Sequence, residues 1–342
     1  MIEFSEASIS EIVLHKISSE EQNCFISDTT LELTGDEEKD TFKRVFLKSF
    51  QNISVTYEFN HEIDIELNTL LKVSKSIYDN KDFLKKSKSI YQHLKTVSKH
   101  PNIKDGDLFV VKFDELKLNN KYYEALGIYK IENKESFIET SINKSQKIDF
   151  AIKKGIGSKK LDKACLIVFT EESYTILIID NNSIETDYWQ NEFLKVKLRN
   201  DDTNNTNQFL KLTKTFLTSH LPSDFVVTKA DQIDLLNRSV DYFKTHNNFE
   251  KKDFEQEVFR DNEVIESFRN FGSQYSQEKN IDIADDFSIS AQAVKNQLRN
   301  FKNILKLDKN FHIYIHGNKE LIEQGVEKDG RKFYKIYFEQ EL

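Results

Sequence analysis

The chain has 342 residues, 49 Lys+Arg against 57 Asp+Glu and a formal net charge of −8, a balance that excludes a small, uniformly basic histone-like protein. At roughly 100–200 residues per domain, the length allows about two domains with a sizeable core. Hydrophobic residues make up only 38% of the chain, yet 27 Phe and 13 Tyr supply enough apolar surface to exclude global disorder.

The opening residues Met1 to Glu6 lack the basic start and apolar run of a secretory signal. Apolar residues interleaved with polar ones over 9–17 predict a short strand or helix, and residues 36–50 an amphipathic helix. Residues 66–97 read as two helices separated near Asp79-Asn80, with His100-Pro101-Asn102 ending the second. From Asp107 the period changes. Runs of β-branched and aromatic residues at 108–113, 122–131, 165–169 and 174–179 predict two hairpins, turning at Asn119-Asn120 and at Glu171-Glu172-Ser173. The wholly polar tract 201–207 reads as a linker or long loop. Beyond it, helices are expected at 206–220, 230–245, 250–258, 261–279 and 290–305. Strict alternation over 311–316 and 333–338 then predicts a closing β-hairpin. The fold class is α+β: N-terminal helices with a mainly antiparallel sheet over 1–200, then a mostly helical region over 208–342 closed by a β-hairpin.

Charge is segregated along the chain. Residues 81–104 hold seven Lys against Asp82, 144–163 seven Lys against two Asp, and 292–319 six Lys and Arg against Asp308, so these islands carry +6, +5 and +5 and leave −24 for the remainder. Lys85, Lys88, Lys95 and Lys99 fall at i, i+3, i+10 and i+14, one stripe of a helix whose apolar stripe is Phe83, Ile90, Leu94 and Val97. Lys295, Arg299, Lys302 and Lys306 repeat the pattern at i, i+4, i+7 and i+11, backed by Val294, Leu298, Phe301 and Leu305. In the middle island two glycines stand between lysine pairs, Lys153-Lys154 and Lys159-Lys160. That composition suits a loop whose backbone approaches a phosphate closely. The loop is no nucleotide cradle: the Walker spacing is absent, and Lys160 stands where a G-x-G-x-x-G pattern needs glycine. The plain alternative for every one of these cations is a solvated surface.

Signals for catalysis are weak. His312 and His316 share a strand face without a third ligand nearby, and the distant Cys24 and Cys165 have neither metal spacing nor a nucleophile signature. Asp107 with Glu115-Leu116-Lys117 has the flavour of a metal-dependent nuclease, a pattern short enough to arise by chance in a chain 31% charged. No cofactor motif is present. Trp189 beside Tyr188 is a candidate exposed aromatic, with core packing the commoner role.

Longer strings carry a resemblance. Residues 305–317, Phe333-Tyr334-Lys335-Ile336-Tyr337-Phe338, Gly155-Ile156-Gly157 with Lys160-Leu161-Asp162-Lys163, Tyr188-Trp189 with Phe193-Leu194, and the opening Ile12-Val13-Leu14-His15-Lys16-Ile17 together resemble the bacterial nucleoid-associated protein family typified by NdpA/YejK. The resemblance spans essentially the whole chain, most sharply 305–317. It implies a double-stranded-DNA-associated, non-enzymatic protein of the cytoplasm and nucleoid, with no catalytic residues to carry over. DNA would be contacted through the three islands in a sequence-tolerant way. Two rivals stand beside this reading: an acidic interaction module recruited through a DNA-processing enzyme such as a topoisomerase, and a metal-dependent nuclease using Asp107 and Glu115. Pairing of two copies would add avidity, so a homodimer is admitted, whereas the longest apolar run, 164–169, is far short of the roughly 20 residues that span a bilayer.

Overall fold

The structure, a computed structural model, describes residues 2–100, 103–142, 144–157, 160–181, 188–279, 281–298, 301, 304–315 and 321–340. The chain divides into two compact units, Met1–Arg199 and Asn200–Leu342.

The first unit is a sheet covered on both faces. Its elements are β1 (Ile2–Glu3), β2 (Ser8–Ile17), α1 (Asp36–Leu47), β3 (Tyr57–Phe59), α2 (Thr69–Tyr78), α3 (Phe83–Val97), β4 (Gly106–Leu118), β5 (Lys121–Ile131), β6 (Glu135–Ile142), β7 (Ile148–Gly155), β8 (Lys163–Val168), β9 (Thr175–Asp180) and β10 (Val196–Leu198). The antiparallel sheet runs β1-β4-β5-β8-β9-β3-β10, with β2 paired beside β1 on the same edge of β4. Both anticipated hairpins form. Asn119 and Asn120 take the left-handed φ values of 50° and 66° that a tight two-residue turn requires, which asparagine tolerates better than most side chains.

Alternation along the central strands sends side chains to two separate cores. Val110, Leu126, Ile128, Cys165 and Ile167 pack under α2, α3 and a π-helical turn at Trp189–Leu194, while Phe109, Val111, Tyr129, Leu166 and Val168 meet Phe46, Leu47 and Phe50 from α1 and the turn after it. Helix α3 follows the expected period: Phe83, Ser87, Ile90, Tyr91 and Leu94 are buried, and Asp82 caps its start by accepting from Lys85 N–H at 3.0 Å. Trp189 is fully buried and its indole N–H donates to Ala164 O at 3.4 Å, so it is a core residue and not an exposed aromatic.

A buried histidine couples this packing to pH. His15 is 0% exposed, its Nδ1 accepts from Ser27 N–H at 3.0 Å, and its Nε2 lies 3.1 Å from Ser87 Oγ. Ser87 Oγ itself donates to Leu84 O at 2.8 Å, so Nε2 carries the hydrogen and the neutral ring satisfies every partner. Burial, then the nearby Lys88 charge, lower its pKa from 6.5 to about 4. The unfolded chain therefore takes up a proton in this window that the folded chain refuses. Stability is full above pH 6.5 and falls as pH drops toward 4, by about 3 kcal/mol. Urea midpoints read from Trp189 fluorescence at pH 7 and pH 4.5 measure the loss, and His15→Asn is expected to flatten that slope.

The second unit contains α4 (Asp202–Thr215), α5 (Leu221–Asp224), α6 (Lys229–Thr245), β11 (Asn248–Glu250), α7 (Lys251–Val258), α8 (Asn262–Lys279), β12 (Asp286–Ser288), α9 (Ala291–Leu298), β13 (Ile304–Leu307), β14 (Phe311–Tyr314), β15 (Ile322–Val326) and β16 (Lys332–Ile336). Its core is aromatic: Phe209 lies 4.2 Å from Phe249 and 4.9 Å from Phe254, ring centre to ring centre, with Phe216, Phe243, Phe259 and Phe268 around them. The α+β class and a closing hairpin are as the sequence pattern predicts.

Two expectations fail here for identifiable reasons. The tract 201–207 is no linker. Asp201 accepts from Asn204 N–H at 2.9 Å and caps α4, and the buried Asn207 accepts from Gln297 Nε2 at 3.0 Å. The tract is polar yet largely buried, because these side chains find partners inside the unit. Nor does a helix extend over 290–305: α9 is described to Leu298, and Ile304–Leu307 is a strand paired with Phe311–Tyr314, while Lys332–Ile336 pairs with Ile322–Val326.

Candidate nucleic-acid interface

Helix α3 presents its cations on the face opposite Ile90 and Leu94, but the chain itself claims two of the four. Residues 18–28 lie beside the helix. Lys88 pairs with Asp28 at 2.5 Å; Lys95 donates to Ser18 O at 2.5 Å and sits 3.5 Å from Glu21. Lys85 and Lys99 are exposed and carry no ion pair among the described residues. Lys99 lies beyond the last turn of α3, roughly 20 Å from Lys85 at about 1.5 Å per helical residue.

The middle island is not a loop. Lys153 and Lys154 belong to β7, which forms a two-stranded arm with β6. Lys153 pairs with Glu139 at 2.6 Å, whereas Lys154 and Lys160 are exposed without an ion pair among the described residues. Lys159 lies outside the described residues. The glycines serve the arm itself. A Cβ at Gly155 would stand 2.9 Å from the Phe137 ring and one at Gly157 2.8 Å from the Glu135 carboxylate, so the close approach is to the chain's own side chains.

The third island does not form one stripe. Lys295 is exposed on α9, and Lys306 is exposed on β13 opposite His312; Arg299, Lys302 and His316 lie outside the described residues. The two described members thus sit on elements of different type.

A charged layer that the composition did not reveal lies at one end of the first unit's sheet. Lys130, Lys163 and Asp180 occupy one row across β5, β8 and β9, and both lysines are nearly inaccessible, 1% and 2% exposed. Lys130 Nζ uses all three donors, to Lys104 O (2.5 Å), Glu132 Oε1 (2.9 Å) and Tyr188 OH (3.1 Å), while Lys163 pairs with Asp180 at 2.6 Å. The Tyr188 ring lies between the two cations, 5.6 Å and 5.1 Å from them. Burial, followed by the Glu132 and Asp180 charges, keeps its hydroxyl protonated. Asp162 accepts from Glu132 N–H (2.8 Å), Asn133 N–H (2.9 Å) and Asn133 Nδ2 (2.7 Å), and Asp107 pairs with Lys134 at 2.7 Å. The Lys130, Asp162 and Asp107 contacts to Glu132, Asn133 and Lys134 fix the link 132–134 from which the arm departs. The available signal was a lysine at an inward position of two neighbouring strands, after Leu126 and Ile128 in one case and before Cys165 in the other.

The register also places Lys104, three residues before Asp107, and Lys160, three before Lys163, at this end of the sheet. Asp107 and Glu115, by contrast, sit at opposite ends of β4, roughly 25 Å apart at about 3.3 Å per residue. Lys117 is drawn to Glu3 at 3.1 Å, so the nuclease-like triad is not assembled. Among the described residues no group of three or more His, Cys, Asp or Glu could hold a metal ion, and no helix is long and apolar enough to cross a membrane.

A family model described as nucleoid-associated protein YejK matches residues 13–331. The chain belongs to that family. The match to the YejK family includes both units, so the arm and the α3 face are parts of a nucleoid-associated protein and not appendages to one. No curated protein matches the chain.

Proposed function

We propose that the chain is a non-enzymatic protein that binds double-stranded DNA without reading its sequence. Phosphates are contacted by Lys85, Lys99, Lys154 and Lys160 in the first unit and by Lys295 and Lys306 in the second, joined by Arg299, Lys302 and Lys159 of the same islands. One observation carries the reading. In a chain of net charge −8, these six described lysines stay exposed and without an ion pair among the described residues, while Lys88, Lys95 and Lys153 are already engaged. Ammonium groups on flexible stems contact phosphate as point charges and carry no base information.

Fluorescence anisotropy with two unrelated duplexes tests the proposal. Lys85→Glu, Lys99→Glu and Lys160→Glu combined are expected to weaken binding tenfold or more, equally on both sequences, whereas Lys88→Gln, which removes a cation already paired, leaves affinity within about twofold. A triple variant that binds like the parent refutes these contacts. The engagement of Lys88, Lys95 and Lys153 favours one second reading, recruitment to the nucleoid through a DNA-processing enzyme such as a topoisomerase. Association that survives nuclease digestion would support that reading over direct contact.

A further inference from the structure

Strands β6 and β7 project from the sheet as an arm in which every residue except Gly155 is exposed. Residues directly opposite in an antiparallel pair share a face. The register Ile138↔Ile152, Thr140↔Phe150 and Ile142↔Ile148 therefore gathers five large apolar side chains on one side. Glu135, Glu139, Asp149 and Lys153 fall on the other, where Lys153 and Glu139 pair. The apolar face is open along its whole length: Ile138 is 69% exposed, Ile142 75%, Ile148 83%, Phe150 68% and Ile152 71%. An isolated two-stranded ribbon is marginally stable in water and needs a cover for its apolar side. Monomeric proteins rarely leave so contiguous a patch bare.

We infer that this face is the dimer interface of the protein, covered by the same face of a second copy. Three observations select that occupant. The three central rungs hold no charge, so the patch meets itself without an ionic conflict, as an isologous contact requires. Each of the five side chains is more than two thirds exposed, so the face offers on the order of several hundred Å² per chain, the scale of the ~800 Å² per partner of a standard interface. A phosphate backbone gains nothing from these three apolar rungs, and Lys154, the one cation on this side, stands one rung beyond them at the arm's root. The arms run antiparallel about a two-fold axis at the Thr140–Phe150 rung. Ile138 of one copy then lies on Ile142 of the other, and the two Thr140–Phe150 rungs face each other. The Asp162 and Asp107 contacts at residues 132–134 hold the arm's root and so preorganise the docking face.

Sedimentation velocity of the full chain tests this. The expected result is twice the 40.2 kDa chain mass at micromolar concentration, retained in about 0.5 M salt, because the contact is apolar. The variant Ile138→Thr/Phe150→Thr/Ile152→Thr keeps strand propensity but strips the face, and should raise the dimer dissociation constant a hundredfold or more. Facing sheets pack about 10 Å apart, too far for a disulfide. Thr140→Cys in a Cys24→Ser background should therefore cross-link to a covalent dimer with a short bismaleimide, which needs no stability comparison. A parent chain that sediments at one chain mass overturns the inference; loss of duplex affinity in the threonine variant would then assign the face to DNA. A parent dimer unaffected by the threonines, or absence of the cross-link, overturns it equally.

Discussion

Raising the salt concentration from about 50 to 200 mM is expected to weaken duplex binding by about a hundredfold. Each phosphate neutralised releases condensed counterions, so log affinity falls against log salt with a slope of roughly −0.9 per contact. The four cations proposed in the first unit, Lys85, Lys99, Lys154 and Lys160, give a slope near −3.6 on that scale, and a fourfold rise in salt multiplies the dissociation constant by roughly 10². Contacts from the second unit steepen the line. Lys99→Gln with Lys160→Gln should flatten it by about 2, which leaves a factor of about ten over the same salt range. The slope is the informative quantity because it counts contacts. Lys88 and Lys95, held by Asp28 and Glu21, release no counterions on binding and should not appear in it. Anisotropy titrations at four salt concentrations, with parent and double variant, decide the matter. A flat line for the parent would mean that phosphates are not what the chain binds.

The parts of the fold that were legible in the sequence are those whose local pattern and tertiary role agree. Helix α3 was visible because Phe83, Ile90 and Leu94 repeat at the period of the face they bury, and the β4–β5 turn because asparagine tolerates the backbone it needs. The arm was not visible, since its apolar face is exposed and the glycines that follow Lys153-Lys154 give the end of β7 the composition of a loop. The α3 stripe was legible as geometry but not as free charge: sequence spacing says nothing about Asp28 and Glu21, which lie far from their lysines in the chain. The third stripe misled because residues 304–307 satisfy a helical spacing and a strand pairing equally, and pairing with 311–314 prevails. The buried lysines were invisible for the opposite reason. A lysine inside a strand ordinarily marks an outward position, and only the cross-strand row with Asp180 and the Tyr188 hydroxyl makes burial tolerable.

That row predicts the largest single-site effect on stability. Lys130→Met is expected to destabilise the first unit by about 3–5 kcal/mol, the cost of removing one partner from a buried ion pair. The change leaves Glu132, whose side chain is 3% exposed, without this cation, and leaves the buried Tyr188 hydroxyl and Lys104 carbonyl without their donor. Burial already lowers the pKa of Lys130 despite the opposing pull of Glu132, so desolvation outweighs the attraction and the ammonium is held at a cost. Adding Glu132→Gln removes the carboxylate that Lys130 faced and should recover about half of the loss, a coupling that a double-mutant cycle isolates. Trp189, the single tryptophan, sits in the core beside Tyr188 and reports the unfolding of this unit in urea. The arm adds a second readout. Glu132 opens the link that Asp162 and Asp107 clamp, so losing Lys130 loosens the root of β6 as well as the core. Lys130→Met should then weaken self-association under conditions where the unit is still folded, whereas Leu94→Ala, which perturbs the core without touching the link and keeps Trp189 as reporter, should cost stability and leave dimerisation unchanged.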